Sequence, residues 1–159
     1  VPFEIRDSKP EDFETLWWID QQCFAPEIAY SRQELRTYMR RHGAFTLVAA
    51  NTTAHSATNH GGLGGFLVAQ SGLTGHVITI DVLKSSRRAG VGSLLLRSAE
   101  ERLAAAGSKV VGLETAVDNL AALAFYKRHG YSVVRTWPHY YANGVDALVL
   151  EKRLNPPLK

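Results

Sequence analysis

The sequence predicts an α/β (α+β) fold: one domain whose mixed sheet carries helices on its faces. Three observations predict it. Short apolar runs with strand character alternate with longer runs at helical spacing, in the order β-α-α-β-β-β-α-β-α-β-β. Capping residues and glycines fall at the ends of the helical runs. At 159 residues, 45% hydrophobic and 21% charged, the chain is large enough to bury one sizeable core, with no internal repeat or linker to divide it.

Phe3-Glu4-Ile5-Arg6 alternates as a short strand. Ser8 then caps a helix that Pro10, Glu11 and Asp12 open, and Phe13, Leu16, Trp17 and Asp20 hold helical spacing until Phe24-Ala25-Pro26 breaks it. Ser31 and Glu34 read as a capping box for a second helix over 31–41, with Leu35, Tyr38 and Met39 toward the core. Residues 44–50 form a strand. The polar loop 51–59 holds His55, with His60 just beyond. Two histidines raise a metal, but no Cys or acid in the loop completes a site, and a mobile hairpin tip accounts for the composition. Residues 65–69 return as a strand, 71–75 turn, and 77–82 form a long apolar strand. A helix over 90–106 ends at Gly107, and a strand follows over 109–115. Asp118 or Asn119 caps a helix over 119–129, which Gly130 ends. The last strands are 131–136 and 145–152, joined by the loop 137–144.

The run Arg87-Arg88-Ala89-Gly90-Val91-Gly92 lies between the long apolar strand and the third helix. A strand, a glycine-bearing turn and a helix make an anion site, because the first helical turn has N–H groups without intrahelical partners and the positive end of the helix dipole. Gly90 and Gly92 let a ligand approach the backbone, and Arg87 and Arg88 suit phosphate oxygens. No Gly-Lys-Ser/Thr closes a Walker loop, and the dinucleotide fingerprint is absent.

The formal charge of +3 attracts an acidic ligand, but no basic block or zinc spacing points to nucleic acid. A single cysteine, Cys23, forms no internal disulfide and fits a reducing, cytoplasmic setting. No apolar run approaches the roughly 20 residues of a membrane helix. No signal peptide is evident, and a start at Val1 without Met points to a trimmed or hidden N-terminus.

Several residues carry chemistry or plainer roles. Glu114 ends an otherwise apolar strand, as a general base or as an ion-paired acid at the sheet's edge. Tyr126 and Asn119 stand about two helical turns apart on one helix, where one face touches an extended ligand; Tyr126 is a proton donor or a core aromatic beside Leu123. His76 begins the long strand and, by the two-residue period, shares a face with Ile78 and Ile80; it is a base or a structural histidine. Asp81, on the other face, is a paired buried acid or a substrate contact. Cys23 reads as a small core residue and not a nucleophile. His139, Tyr140 and Tyr141 wall a pocket or anchor their loop.

Val82-x4-Arg87-x-x-Gly90-x-Gly92, Leu113-Glu114 and Asn119-x-x-Ala122-x-x-x-Tyr126-x-x-x-Gly130-Tyr131 together resemble the GNAT superfamily of acyl-CoA-dependent N-acyltransferases. Within it, Tyr140-Tyr141-Ala142-Asn143-Gly144-Val145-Asp146-Ala147 is similar to the tail of the RimI-like N-terminal acetyltransferases of ribosomal proteins. Cys23-Phe24 with Tyr30-Ser31 resembles their substrate loop, without its usual Pro-Trp pair. The resemblance implies a single acyl-CoA N-acyltransferase domain over 1–159, with a central mixed, mostly antiparallel sheet of about seven strands and about four helices. It implies acetyl-CoA as donor, no metal, and a primary amine as acceptor, first a protein or peptide N-terminus. The alternatives are a small amine (polyamine, amino acid or aminoglycoside) or a non-catalytic acyl-CoA sensor. A monomer or homodimer is expected, with no nucleic-acid or membrane partner.

By the same resemblance, the backbone of Ile80, Asp81 and Val82 would hold the acetyl group and pantetheine. The N–H groups from Arg88 through Ala89, Gly90, Val91 and Gly92 to Ser93 would cradle the pyrophosphate, with Arg87 beside them, and Asn119 would contact the CoA arm. Glu114 ranks first as base and His76 second. Tyr126 would protonate the departing thiolate, and an N–H near Val82 would stabilise the oxyanion. Phe24, Tyr30, His139, Tyr140 and Tyr141 would line the acceptor side. Lys84 stands where the family often has Pro, and Ala89 where it often has Gly; Ala89 is tolerable at a negative φ.

Overall fold

The strand β3, Leu63–Gln70, is buried along all but its last residue, so it lies inside a sheet covered on both faces. The computed structural model, which describes residues 3–53 and 59–155, shows that sheet. Its other strands are β1 (Phe3–Asp7), β2 (Ala44–Asn51), β4 (Thr74–Val82), β5 (Val110–Ala116), β6 (Ser132–Trp137) and β7 (Ala147–Arg153). The order is β1-β2-β3-β4-β5-β7-β6, and β4–β5 is the one parallel pair. Four α-helices stand among the described residues: α1 (Phe13–Cys23), α2 (Arg32–Met39), α3 (Val91–Ala105) and α4 (Leu120–Arg128).

The pleat of β3 sends successive side chains to opposite faces and so divides the core in two. Phe66 and Val68 pack with Leu16 and Ile19 of α1 and Leu35 of α2. Leu67 and Ala69 pack with Leu95, Leu96 and Ala99 of α3 and Tyr126 of α4. The first of these faces is called the α1/α2 face below, and the second the α3/α4 face.

Local signals explain most element ends. Ser31 Oγ accepts from Glu34 N at 3.1 Å and Glu34 Oε1 accepts from Ser31 N at 2.9 Å, the reciprocal capping box expected of α2. Asn119 Oδ1 accepts from Ala122 N at 3.1 Å and caps α4. Gly107 and Gly130 take φ of +98° and +91° just past α3 and α4, the left-handed geometry that stops a helix without a Cβ clash. Ser8, in contrast, is not the cap of the first helix. Asp12 stands at that end without capping α1 by its side chain: its Oδ2 instead accepts from Lys9 N at 2.7 Å, at the start of the preceding turn, and from Arg6 Nη1 at 2.8 Å. A 3-10 turn over Pro10–Asp12 precedes α1 proper.

Two departures from the sequence pattern shape the centre of the sheet. Val68 pairs with Thr79 and Ala69 with Val77, so Ile78 is an extra, bulged residue. The bulge flips the alternation. Val77 and Ile80 pack toward the α3/α4 face, whereas Ile78 packs toward the α1/α2 face. The expectation that His76, Ile78 and Ile80 share a face is therefore corrected. A second departure follows β4, where a 3-10 turn over Lys84–Ala89 intervenes before α3.

Candidate active site

The parallel strands β4 and β5 pair only at Thr74–Val110, Gly75–Val111 and His76–Gly112. Beyond that point they part. The rest of β4 keeps its ladder to β3 and leaves its other edge to a wedge-shaped gap. Backbone N–H and C=O groups along such an edge need partners, so the gap suits an extended ligand that carries amides.

Three of the side chains named from sequence, His76, Glu114 and Tyr140, meet at the apex of this gap. His76 Nε2 lies 2.9 Å from Glu114 Oε1 and 3.0 Å from Oε2. The two candidate bases are thus one hydrogen-bonded pair. Glu114 is the deeper member, its side chain 13% exposed against 36% for His76. Tyr140 Oη points at the same Glu114 Oε1 from 3.5 Å. Tyr126 sits on α4, buried across the sheet, within electrostatic reach of Glu114, Asp81 and Tyr141. Its phenol is pushed well above the ordinary tyrosine range, chiefly by burial, so it stays protonated and able to donate.

Tyr140 meets Trp137 at 5.4 Å and the edge of Tyr141 at 5.0 Å, between ring centroids. Burial raises both phenols, with Glu114 adding to each. Tyr30, in the loop between α1 and α2, stands 5.0 Å from the Tyr38 ring and within electrostatic reach of Tyr140. Tyr38, assigned from sequence to the core alone, thereby joins the rim of the site. Its helical spacing gives no sign of this, because the loop that brings Tyr30 to it is not periodic. Phe24 is partly buried at the C-terminal end of α1.

His139 does not face the cluster with its polar groups. Its N–H donates to Asp146 Oδ1 at 2.9 Å, its Nδ1 lies 3.1 Å from Gly144 O, and its φ is +52°. These contacts tie the loop before β7 to itself, which is the anchoring role. His55 lies outside the described residues. Among the described residues no group of three or more His, Cys, Asp or Glu side chains is placed to hold a metal ion.

At the glycine-bearing turn the two glycines do different things. Gly90 has φ +74°, and a Cβ there meets nothing within 4 Å, so the turn is open on that side. A Cβ on Gly92 would stand 3.2 Å from Phe125 Cζ. Its missing side chain lets α3 pack against α4. Ala89 keeps a negative φ, as its methyl requires. Arg87 Nε donates to Val82 O at 3.0 Å, which folds the turn back on β4. Ser93 Oγ lies 2.8 Å from His129 Nε2, and burial lowers the His129 pKa, which favours a neutral ring. Asn119 spends its Oδ1 on the cap of α4 and stands at the helix entrance, not on the body of the helix with Tyr126. Gly90→Ala should cost about 1–2 kcal/mol of stability from the left-handed backbone alone. The urea midpoint at unchanged slope measures it; a change near zero would mean that the turn is not left-handed.

Asp81 is the paired buried acid. Both it and Asp20 of α1 are fully buried. Burial, then Asp20, pushes the Asp81 carboxyl well above the usual carboxylate range. Cys23 Sγ lies 3.4 Å from Val82 O, and burial raises its thiol to about 12, so it is a packed side chain and not a nucleophile. Two acids around the start of α1 are paired locally: Asp12 with Arg6, and Glu14 with Arg32.

The "Acetyltransferase (GNAT) family" model matches residues 11–131, which takes in both layers of helices and the glycine-bearing turn. An N-alpha-acetyltransferase of Sulfurisphaera tokodaii is 38% identical over 77 residues, 48% of this chain and 46% of that protein. The chain spans about half the length of the curated relatives it matches. Among solved structures, Ard1 from Thermoplasma volcanium superposes with a TM-score of 0.85 at 23% identity, over 98% of this chain and 99% of that one. The ribosomal-protein-S18-alanine N-acetyltransferase from Escherichia coli superposes with a TM-score of 0.79 at 20% identity, over 99% of this chain and 97% of that one. The shared fold, together with a family model that covers most of the chain, shows that the chain belongs to the acetyltransferase (GNAT) family.

Proposed function

We propose that this protein transfers an acetyl group from acetyl-CoA directly to the α-amine of a protein or peptide N-terminus. The observation that carries the reading is the hydrogen-bonded His76–Glu114 pair at the apex of the β4/β5 gap, with Tyr126 on the opposite side of the sheet. The naming of sequence relatives as N-alpha-acetyltransferases supports the acceptor class. The fit to acetyl-CoA is physical. The open edge of β4 suits the amides of pantetheine, and the open turn at Gly90 before α3 suits the pyrophosphate. Acetyl-CoA supplies an activated acyl carbonyl and a thiolate leaving group.

The chain's own residues then do three things. They hold the two substrates from opposite faces of the sheet, so that amine and thioester meet in the gap. Glu114, with His76 beside it, takes the proton from the incoming ammonium, which otherwise has no lone pair to attack with. Tyr126 gives its proton to the departing thiolate, and a backbone N–H near Val82 steadies the oxyanion. Arg88 and the N–H groups through Ser93 hold phosphate, Asn119 the CoA arm, and Tyr30, Tyr140 and Tyr141 the acceptor.

The test is release of CoA thiol from acetyl-CoA with short peptides of differing N-termini, beside spermidine and free amino acids. Turnover on peptides is expected, and Tyr126→Phe should lower kcat by about 10²-fold or more. Turnover on small amines alone would replace the acceptor class and keep the mechanism. Folded protein that binds no acetyl-CoA would overturn the reading.

A further inference from the structure

Two buried carboxylates remain that the transfer chemistry does not use. Asp20 and Asp81 are each 0% exposed. Two of their four oxygens have donors. Asp20 Oδ2 accepts from Tyr30 N at 2.7 Å, and Asp81 Oδ1 accepts from Thr79 Oγ1 at 2.5 Å. Asp20 Oδ1 and Asp81 Oδ2 are left with no donor. The two side chains are close enough that Asp20, after burial, is what most raises the Asp81 carboxyl. Two bare carboxylates side by side in a dry site repel strongly, and each has lost its water. One proton between them removes both costs.

What the pair touches gives it a purpose. Asp81 lies on β4 directly before Val82, beside the gap. Asp20 holds the backbone of Tyr30, whose carbonyl also takes Trp17 Nε1 at 3.1 Å and Gln21 Nε2 at 2.8 Å. The loop 24–31 is therefore fastened to α1 at Tyr30, and α1 is fastened to β4 through the acids.

We propose that Asp20 and Asp81 share one proton across their facing oxygens, and that this bridge positions Tyr30 and the loop 24–31 over the β4/β5 gap for the acceptor. Asp81 carries the proton and donates to Asp20, whose other oxygen accepts from Tyr30 N. The two acids are positioning residues. Their part in acceptor binding rests on the acetyl-transfer reading above; the bridge itself does not. The groups around it are Cys23 at the end of α1, Arg87 after β4, Tyr30 in the loop and Tyr126 on α4. Arg87 is the one cation among them, and its Nε is spent on Val82 O.

The experiment compares wild type with Asp81→Asn, Asp81→Ala and Asp20→Ala. Asparagine keeps the donor toward Asp20 and cannot ionise. Wild type at neutral pH should show the infrared C=O band of a protonated carboxyl, and Asp81→Asn should lack it. Amide exchange at Tyr30 should stay slow in wild type and Asp81→Asn and speed up in both alanine variants. Acceptor KM should rise roughly tenfold in Asp81→Ala, the equivalent of one charge-assisted hydrogen bond, and Asp81→Asn should restore most of that loss. The absence of the band in wild type overturns the shared proton. Tyr30 exchange as fast in Asp81→Asn as in Asp20→Ala, or unchanged in Asp81→Ala, overturns the positioning role. Because band and exchange need no turnover, a failure of the acetyl-transfer reading leaves both readable.

Discussion

Glu114→Gln should lower kcat/KM on an N-terminal peptide by about 10²- to 10⁴-fold, the usual loss when a positioned base is removed. Glutamine keeps the size of the side chain and an oxygen that faces His76, so the fold and the rim contact with Tyr140 should survive. What it loses is the charge that accepts a proton. Since His76 Nε2 bonds both carboxylate oxygens at 2.9 and 3.0 Å, the pair should behave as a unit. His76→Gln should then also lower the rate, and the double variant should be little worse than the weaker of the two single variants. Additive losses would mean two independent roles. A loss below about threefold in Glu114→Gln, far under the range for a base, would move the base to His76 or to another group. Steady-state kinetics under saturating acetyl-CoA decides among these.

Phe66→Ala should destabilise the protein by about 3–5 kcal/mol, the cost of emptying a large, fully buried aromatic site. Phe66 is 0% exposed and packs with α1 and α2 on one face of β3. Its neighbour Leu67, equally buried, packs with α3 and α4 on the other. The two positions separate the layers. Loss of Phe66 loosens the support of α1 and so of Tyr30, and should raise the acceptor KM more than the acetyl-CoA KM. Leu67→Ala, at about 2–5 kcal/mol, loosens the seat of α3 and should do the reverse. Urea unfolding gives the stabilities, and two-substrate kinetics gives the split. Equal effects on both KM values in both variants would show that the sheet deforms as one body and that the layers do not serve the substrates separately.

Much of this was legible in the residues. Strand and helix order, the capping box of α2, the Asn119 cap and the glycine stops after α3 and α4 follow from local rules, because each is decided by neighbours within one turn of chain. The family was legible because its motif residues stand at their usual spacing; Glu114, His76, Tyr126 and Tyr140 were legible as candidates, with plainer readings beside them until the resemblance ranked them. Asp20 was visible as an acid at helical spacing with Leu16, an odd choice for a buried stripe, and that was the available sign that it is buried and partnered.

The tertiary structure alone decided how these residues meet. The bulge at Ile78 reverses which face of the sheet Ile80 serves, and no strand pattern shows an extra residue whose partner strand lies elsewhere in the chain. That β4 and β5 pair for three positions and then part is likewise a property of two strands and not of either one. Whether His76 and Glu114 are alternatives or partners turns on a contact between residues 38 apart in sequence, and the answer is a 2.9 Å hydrogen bond. Gly92 packs against a helix and Gly90 faces open space, although both look alike in the motif. Local chemistry fixed which groups the protein has; long-range packing, which places side chains within hydrogen-bond reach across elements, fixed which of them meet.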